Sequence, residues 1–342
     1  GIETDPDTHV HVSASGEPNI VYAPLSDHSG YRYGPSIMYY ADGSSDAWFS
    51  STGSFGEWDW VTVRHSKDCV NYTDERAVLI PNIDSYDKFS CCDPGAVYFG
   101  GYYYVGYTST IDSHGGGVNN NVFIARSRSA GGPYEKWNGS GWGGDPAPVI
   151  YYDELDTNYG AGEPSMVVKD GILYLYYTWS CPEGNFSYVS TSDTEEDWPA
   201  RLVHHGAAIR KHGQDSIDVA YLEEAGKFIA FATQNRFSEN SGIAVMESED
   251  GLHFYQTDFI CEGLYQNCHN MGIARRPDGH IRLTDSVFVG YAFSNGAENS
   301  WGHWATAFQP VKLELYHGEV TPSPESKSTF CTGYFADTSE KR

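Results

Sequence analysis

Basic residues are scarce. Only 21 Lys and Arg stand against 46 Asp and Glu, giving a formal charge of −25 over 342 residues. A surface of that sign repels phosphate backbones and anionic headgroups, so nucleic acid and membrane surfaces are excluded as expected partners. No apolar run approaches the roughly 20 residues that span a bilayer. No segment carries apolar residues at helical spacing, which excludes a parallel α/β fold. CxxC pairs and a Cys/His ladder of the zinc type are missing. So are a phosphate-cradling glycine loop, a nucleophile elbow and an HExxH helix. No signal peptide stands within residues 1–13, the pattern expected of a mature form.

What the chain has in quantity is aromatic side chains, 15% of all residues, with 26 Tyr and 9 Trp. Their faces pack on the C–H faces of sugars, and equally well inside an all-β core. Seven cysteines are present. Cys261 and Cys268 bracket the short loop CEGLYQNC, and a disulfide between them is expected. With the acidic, Tyr- and Asn-rich composition, this places the protein in a secreted or periplasmic setting.

One pattern recurs. A polar start leads into an apolar strand, a Gly-containing turn and an aromatic-rich strand, as in DPGAVYFGGYYYVGYTST from Asp93 and EPSMVVKDGILYLYYTWS from Glu163. Related runs begin at Gly34, Asp218 and His269. Each reads as a hairpin. After the first four comes a further strand ending in a Ser-containing turn: VTVRHSKD, VFIARSRS, SYVSTSD and IAVMESED. About four strands per unit, in units near blade length, predict an all-β fold, a five-bladed β-propeller with four-stranded antiparallel blades. It occupies residues 1–316, closed by WGHWATAFQPVKLEL or by the N-terminal HVHVSASG, with an irregular tail over 317–342.

In a propeller the inner strands start around a shared funnel. Gly34, Asp93, Glu163, Asp218 and His269 hold those positions. Three are carboxylates, the residue type that supplies an acid and a base for glycosidic cleavage. Crowding them raises the pKa of one and keeps it protonated. The segments CDPGAVYFGGYYYVGYTS and GEPSMVVKDGILYLYYTW resemble the second- and third-blade motifs of glycoside hydrolase family 43 and its relatives, families 32, 68 and 117. The resemblance implies a hydrolase of plant or microbial polysaccharides, of arabinofuranosidase, xylosidase or galactosidase type. Its partner would be an oligosaccharide or polysaccharide, and the protein would act as a monomer or small homo-oligomer. It needs no cofactor and allows a structural or channel-bound calcium. It makes Glu163 the general acid and Asp93 its modulator.

The family's blade-one aspartate is replaced by Gly34, followed by Pro35. The base therefore falls to Asp218, to Asp215, to Asp27, or to Asp93 itself with Asp218 as tuner, the arrangement favoured here. His269 would hold a metal or water, or bond the sugar. Asp27, His28 and Arg32, from one loop, and Asp215 would contact substrate, with Tyr159 and Trp179 as stacking surfaces. Trp58 and Trp60 of EWDW share that stacking role. The alternative is a non-catalytic carbohydrate-binding propeller that has lost its base, and a lyase is a third reading.

Overall fold

Strand formation follows from runs of β-branched and aromatic residues, broken where Gly or Asp-Gly permits a tight reversal. At Asp170-Gly171 both residues take positive φ, 53° and 76°, as a type I′ hairpin requires. The computed structural model describes residues 7–24, 30–53, 58–112, 117–154, 156–210, 212–213, 216–294 and 303–320. All five expected hairpins form. Among the described residues the one helical element is a 3-10 turn at Trp198–Arg201.

The strands group into antiparallel units. The first is β3 (Arg32–Tyr39), β4 (Ser45–Thr52), β5 (Asp59–Ser66) and β6 (Thr73–Leu79). The second is β7 (Cys92–Phe99), β8 (Tyr102–Ser109), β9 (Asn121–Ser127) and β10 (Glu135–Lys136). The third is β11 (Gly160–Lys169), β12 (Ile172–Cys181), β13 (Gly184–Asp193) and β14 (Val203–Ile209). The fourth is β15 (Ile217–Leu222), β16 (Lys227–Gln234), β17 (Gly242–Ser248) and β18 (Tyr255–Ile260), with β20 (His280–Ile281) pairing β15 in parallel.

The last unit draws on both ends of the chain and shares one sheet with the first, through the parallel pairs Ala274↔Ile37 and Arg275↔Met38. β19 (Cys268–Arg275), β21 (Phe288–Phe293) and β22 (Ala305–His317) are completed by β1 (Thr8–Ala14), which pairs β22 from Thr8↔His317 to Ala14↔Val311. A short β2 (Asn19–Tyr22) also pairs β22. Both candidate closing segments are therefore used, on adjacent strands.

Apolar clusters lie between consecutive units, each fed by both. Val97, Ile124 and Tyr104 of the second meet Met166, Leu173 and Leu175 of the third. Val167, Tyr176 and Val189 of the third meet Val219, Phe228 and Ala230 of the fourth. The inner strands approach closely enough to demand glycine. A Cβ at Gly95 would overlap the carbonyl oxygen of Pro164, and one at Gly272 that of Pro35. Arg275, fully buried on β19, ties them together. Its Nη1 donates to the carbonyls of Met166 (2.8 Å) and Val219 (2.5 Å), its Nη2 to that of Ala96 (2.8 Å).

The expected Cys261–Cys268 bridge does not form. Cys268 opens strand β19 as a buried thiol outside any disulfide, with Sγ 3.2 Å from the hydroxyl of Ser241. Strand pairing turns it inward, away from the loop. Cys261 is disulfide-bonded to a partner outside the described residues. Among the described residues the last strand ends at His317, and of the expected tail residues 321–342 lie outside the described residues.

Candidate active site

The inner strands share a backbone device. In β3, β7, β11 and β19 the register slips at one point, between Tyr33 and Ser36, Cys92 and Gly95, Gly162 and Ser165, and His269 and Met271. At each slip one residue is left-handed: Gly34 (φ 60°), Asp93 (50°), Glu163 (54°) and Asn270 (50°). Such bulges re-aim a side chain out of the pleat. In the first three the next residue is Pro35, Pro94 or Pro164. The fourth such residue is thus Asn270, one place beyond the expected His269. β15 pairs β16 without a slip, and Asp218 sits in regular register.

These residues line one axial cavity of about 30 Å³, with Asp218, Ser216 and the three prolines in its wall. That is room for a water-sized guest. Hydroxyls from the preceding unit fix the bulges. The Asp93 N–H donates to Ser50 Oγ on β4 (2.7 Å), and the Glu163 N–H to Thr108 Oγ1 on β8 (2.8 Å). Both hydroxyls are buried.

The half-buried carboxylates of Asp93 and Glu163 each have a donor. The Tyr159 hydroxyl donates to Asp93 Oδ2 at 3.0 Å, and Asn270 Nδ2 lies 3.5 Å from Oδ1. The Thr178 hydroxyl donates to Glu163 Oε1 at 2.9 Å. Burial, and then the charges of Asp93 and Glu163, push the Tyr159 phenol far above its ordinary range, so it stays a donor. Among the described expected contact residues, Tyr159 bonds Asp93 and feels the charge of Glu163.

Asp218 reaches the cavity wall already engaged. Its Oδ1 accepts from Ser165 Oγ (2.6 Å), its Oδ2 from the N–H of Ile273 (2.7 Å), and Arg275 Nη1 is 3.7 Å away. Arg32 turns outward. It forms a two-pronged ion pair with Glu75 on β6 (2.7 and 2.8 Å) and covers the Tyr22 ring, 4.9 Å from its centroid. An outer-strand carboxylate, not the cavity, claims that guanidinium. Trp179 stacks on Tyr188 (5.3 Å, 4° between planes) and meets the edge of Tyr152, inside the apolar cluster between the second and third units. Trp58 is exposed against Phe89. Asp27, His28 and Asp215 lie outside the described residues.

His269 is buried among rings, 4.1 Å from Trp304, 5.1 Å from Phe237 and 5.5 Å from Tyr33. Burial, then the Arg236 charge, lowers its pKa to about 3, so the imidazole is neutral at ordinary pH.

One carboxylate escaped the sequence reading. Asp59, at the start of β5, is buried and accepts hydrogen bonds from the hydroxyls of Tyr31 and Tyr33, the latter at 3.0 Å. Its own carbonyl accepts from the N–H of Cys91 (2.8 Å), two residues before Asp93. Burial raises its pKa to about 7, the two tyrosines oppose the rise and the Asp93 charge adds to it. The alternation of β5 held a signal, because Asp59 shares a strand face with Val61 and Val63, both buried.

A calcium ion takes roughly six to eight oxygen ligands. Here every cavity carboxylate already accepts a protein hydrogen bond: Asp93 from Tyr159, Glu163 from Thr178, and Asp218 from Ser165 and Ile273. Each carboxylate keeps lone pairs beyond these bonds, as ligating carboxylates do when they are themselves hydrogen-bonded.

No family model matches the chain, and no curated protein matches it in sequence. Solved structures do match. Zg3597, a family 117 glycoside hydrolase of the marine bacterium Zobellia galactanivorans, superposes with a TM-score of 0.64 at 15% identity, covering 98% of this chain and 97% of that one. An α-L-arabinofuranosidase from Lactobacillus brevis gives 0.56 at 13% identity over 84% and 92%. A thermostable family-43 glycoside hydrolase gives 0.56 at 15% over 90% and 99%. The chain has the propeller fold that these glycoside hydrolases share.

Proposed function

We propose that the protein is a glycoside hydrolase whose five antiparallel units are five propeller blades around the axial cavity. Glu163 acts as general acid and Asp93 as general base. The observation that carries this reading is the convergence of Asp93 and Glu163 on one cavity, each lifted by a left-handed bulge on its inner strand. One carboxyl group protonates the leaving oxygen and the other takes a proton from water, the division of labour glycosidic hydrolysis needs.

Asp59 replaces Asp218 as the group that tunes Asp93. It is buried and electrostatically coupled to Asp93. Asp218, held by Ser165 and Ile273, positions the strands. The substrate is an oligosaccharide or polysaccharide with arabinose, xylose or galactose units. The arabinofuranosidase among the structural neighbours supports the arabinose member of that class. The disulfide at Cys261 supports a secreted or periplasmic site of action.

Hydrolysis of nitrophenyl glycosides and of arabino-, xylo- and galacto-oligosaccharides tests the reading, with release of reducing sugar expected for at least one. Gly34 gives the second reading its footing, a propeller that binds glycans without cleaving them. Saturable binding with no turnover across the panel would establish that reading instead.

A further inference from the structure

A chain with 46 acidic and 21 basic residues has carboxylates to spare for every guanidinium. Arg76 and Arg128 nevertheless stand without one. Among the described residues neither joins an ion pair. Both are exposed, and both line one cleft of about 480 Å³ between the first and second units. The axial cavity, at about 30 Å³, is far smaller. The cleft lies toward the strand ends opposite the bulges. Its first-unit wall is β5 and β6, where Val63 pairs Arg76 and His65 pairs Thr73. Asp59, coupled to Asp93, opens β5, and His65 lies near its far end, roughly 20 Å away at about 3.3 Å per residue. The second-unit wall is Tyr103 on β8 and the turn 128–131 that follows β9.

The cationic groups are held in place. Arg128 lays its guanidinium on the Tyr102 ring, 3.8 Å from the centroid, and Nη1 donates to the Gly101 carbonyl (3.2 Å). A guanidinium has five N–H donors, so further ones face a guest. Arg76 reaches from β6 to the second unit's turn, where its Nη1 lies 3.3 Å from the place of a Cβ on Gly131. Arg64, the third arginine of the wall, shares Glu75 with Arg32 through contacts of 2.6–2.8 Å. The carboxylates of the wall are Asp46 and Asp74. Asp46 is engaged by His65 Nδ1 (2.8 Å) and the Tyr40 hydroxyl (2.5 Å), and the exposed Asp74 accepts from the Thr73 hydroxyl (3.4 Å). With Arg32 and Glu75 included, four guanidiniums meet three carboxylates. The cleft is thus locally cationic on a protein of net charge −25.

We propose that this cleft is an oxyanion site, in which Arg76 and Arg128 anchor a carboxylate or sulfate group carried by an acidic polysaccharide. The planar fork of a guanidinium matches two oxygens of either group. Tyr103, half-buried in the wall, offers a ring to the sugar that bears it. The acidic surface elsewhere repels such a chain, so the attachment is confined to this place. That a sugar carries the anion rests on the hydrolase reading above. That an anion binds rests on the cleft alone.

The test is calorimetric titration at low ionic strength with four probes: trigalacturonate, a sulfated galactotriose, neutral galactotriose and sodium sulfate. Saturable binding of at least one acidic trisaccharide is expected, tighter than that of galactotriose or sodium sulfate and weakened by added salt. The double variant Arg76→Gln/Arg128→Gln should bind it at least about tenfold more weakly, at an unchanged melting temperature. Should the double variant misfold, Arg76→Gln alone, which removes no hydrogen bond among the described residues, should weaken it about threefold. Neither arginine lines the axial cavity, so hydrolysis of a nitrophenyl glycoside should be equal in wild type and variants. Failure of both acidic trisaccharides to bind, or binding unchanged in the folded variants, overturns the site and leaves the hydrolase reading standing. Sodium sulfate bound as tightly as the acidic sugars overturns the polysaccharide anchor in favour of a free anion. A wild type that binds an acidic trisaccharide through these arginines and cleaves nothing overturns the hydrolase reading and leaves the anchoring site.

Discussion

The Tyr159 hydroxyl donates to Asp93 Oδ2 across 3.0 Å, joining the segment that leads into β11 to the bulge of β7. It favours the ionised carboxylate, the form a general base must have. Removing it with Tyr159→Phe should disfavour the ionised base, because a hydrogen bond to a charged group is worth roughly 1.5–3 kcal/mol. The acidic limb of the kcat/KM profile should move to higher pH, with the alkaline limb unmoved. An unshifted acidic limb means that Asp93 is not the base.

Asp59 makes a prediction about stability against pH. Its folded pKa, about 7, exceeds the ordinary 3.8. Between about pH 4 and 7 the native state holds a proton that the unfolded chain has released, so stability falls as pH rises through that window, in total on the order of 4 kcal/mol. His269 acts oppositely. Its folded pKa of about 3 lies below the ordinary 6.5. Between those values the unfolded chain holds the extra proton, and stability rises with pH. Asp59→Asn should remove the first slope and expose the second. Urea unfolding at several pH values between 4 and 7 should then show a variant that gains stability, relative to wild type, as pH rises. Parallel curves for the two proteins would show that Asp59 titrates normally.

Arg275 holds three inner strands through the carbonyls of Ala96, Met166 and Val219. Arg275→Met has similar length and leaves those acceptors buried without their donor. The expected cost is roughly 3–5 kcal/mol, read from the midpoint of chemical unfolding. A loss below about 1 kcal/mol would place the strand contacts elsewhere, since typical single hydrogen bonds contribute that much.

Much of this architecture was legible in the sequence. The repeated hairpin and Ser-turn signals are local, and each became a pair of strands with its neighbour. Asp93 and Glu163 were legible because an acidic residue before Pro opens each apolar run. Other features depend on contacts distant in the chain. Arg32 was claimed by Glu75, 43 residues away. Asp218 was claimed by Ser165 and Ile273, some 50 residues off on either side. His269 and Asn270 are adjacent, and only the strand register decides which sits on the bulge. Cys268 looked paired by spacing, and its strand turned it into the core.

The central claim is that Glu163 gives a proton to the leaving group. Glu163→Gln keeps the shape and the contact with Thr178 while removing the acid. The most direct measurement compares this variant with wild type on a natural glycosidic linkage and on an aryl glycoside with an acidic phenol as leaving group. The account predicts a loss of about 100-fold or more on the natural linkage, a much smaller loss on the aryl glycoside, and disappearance of the alkaline limb of the pH profile. Equal activity of variant and wild type on the natural linkage would contradict it.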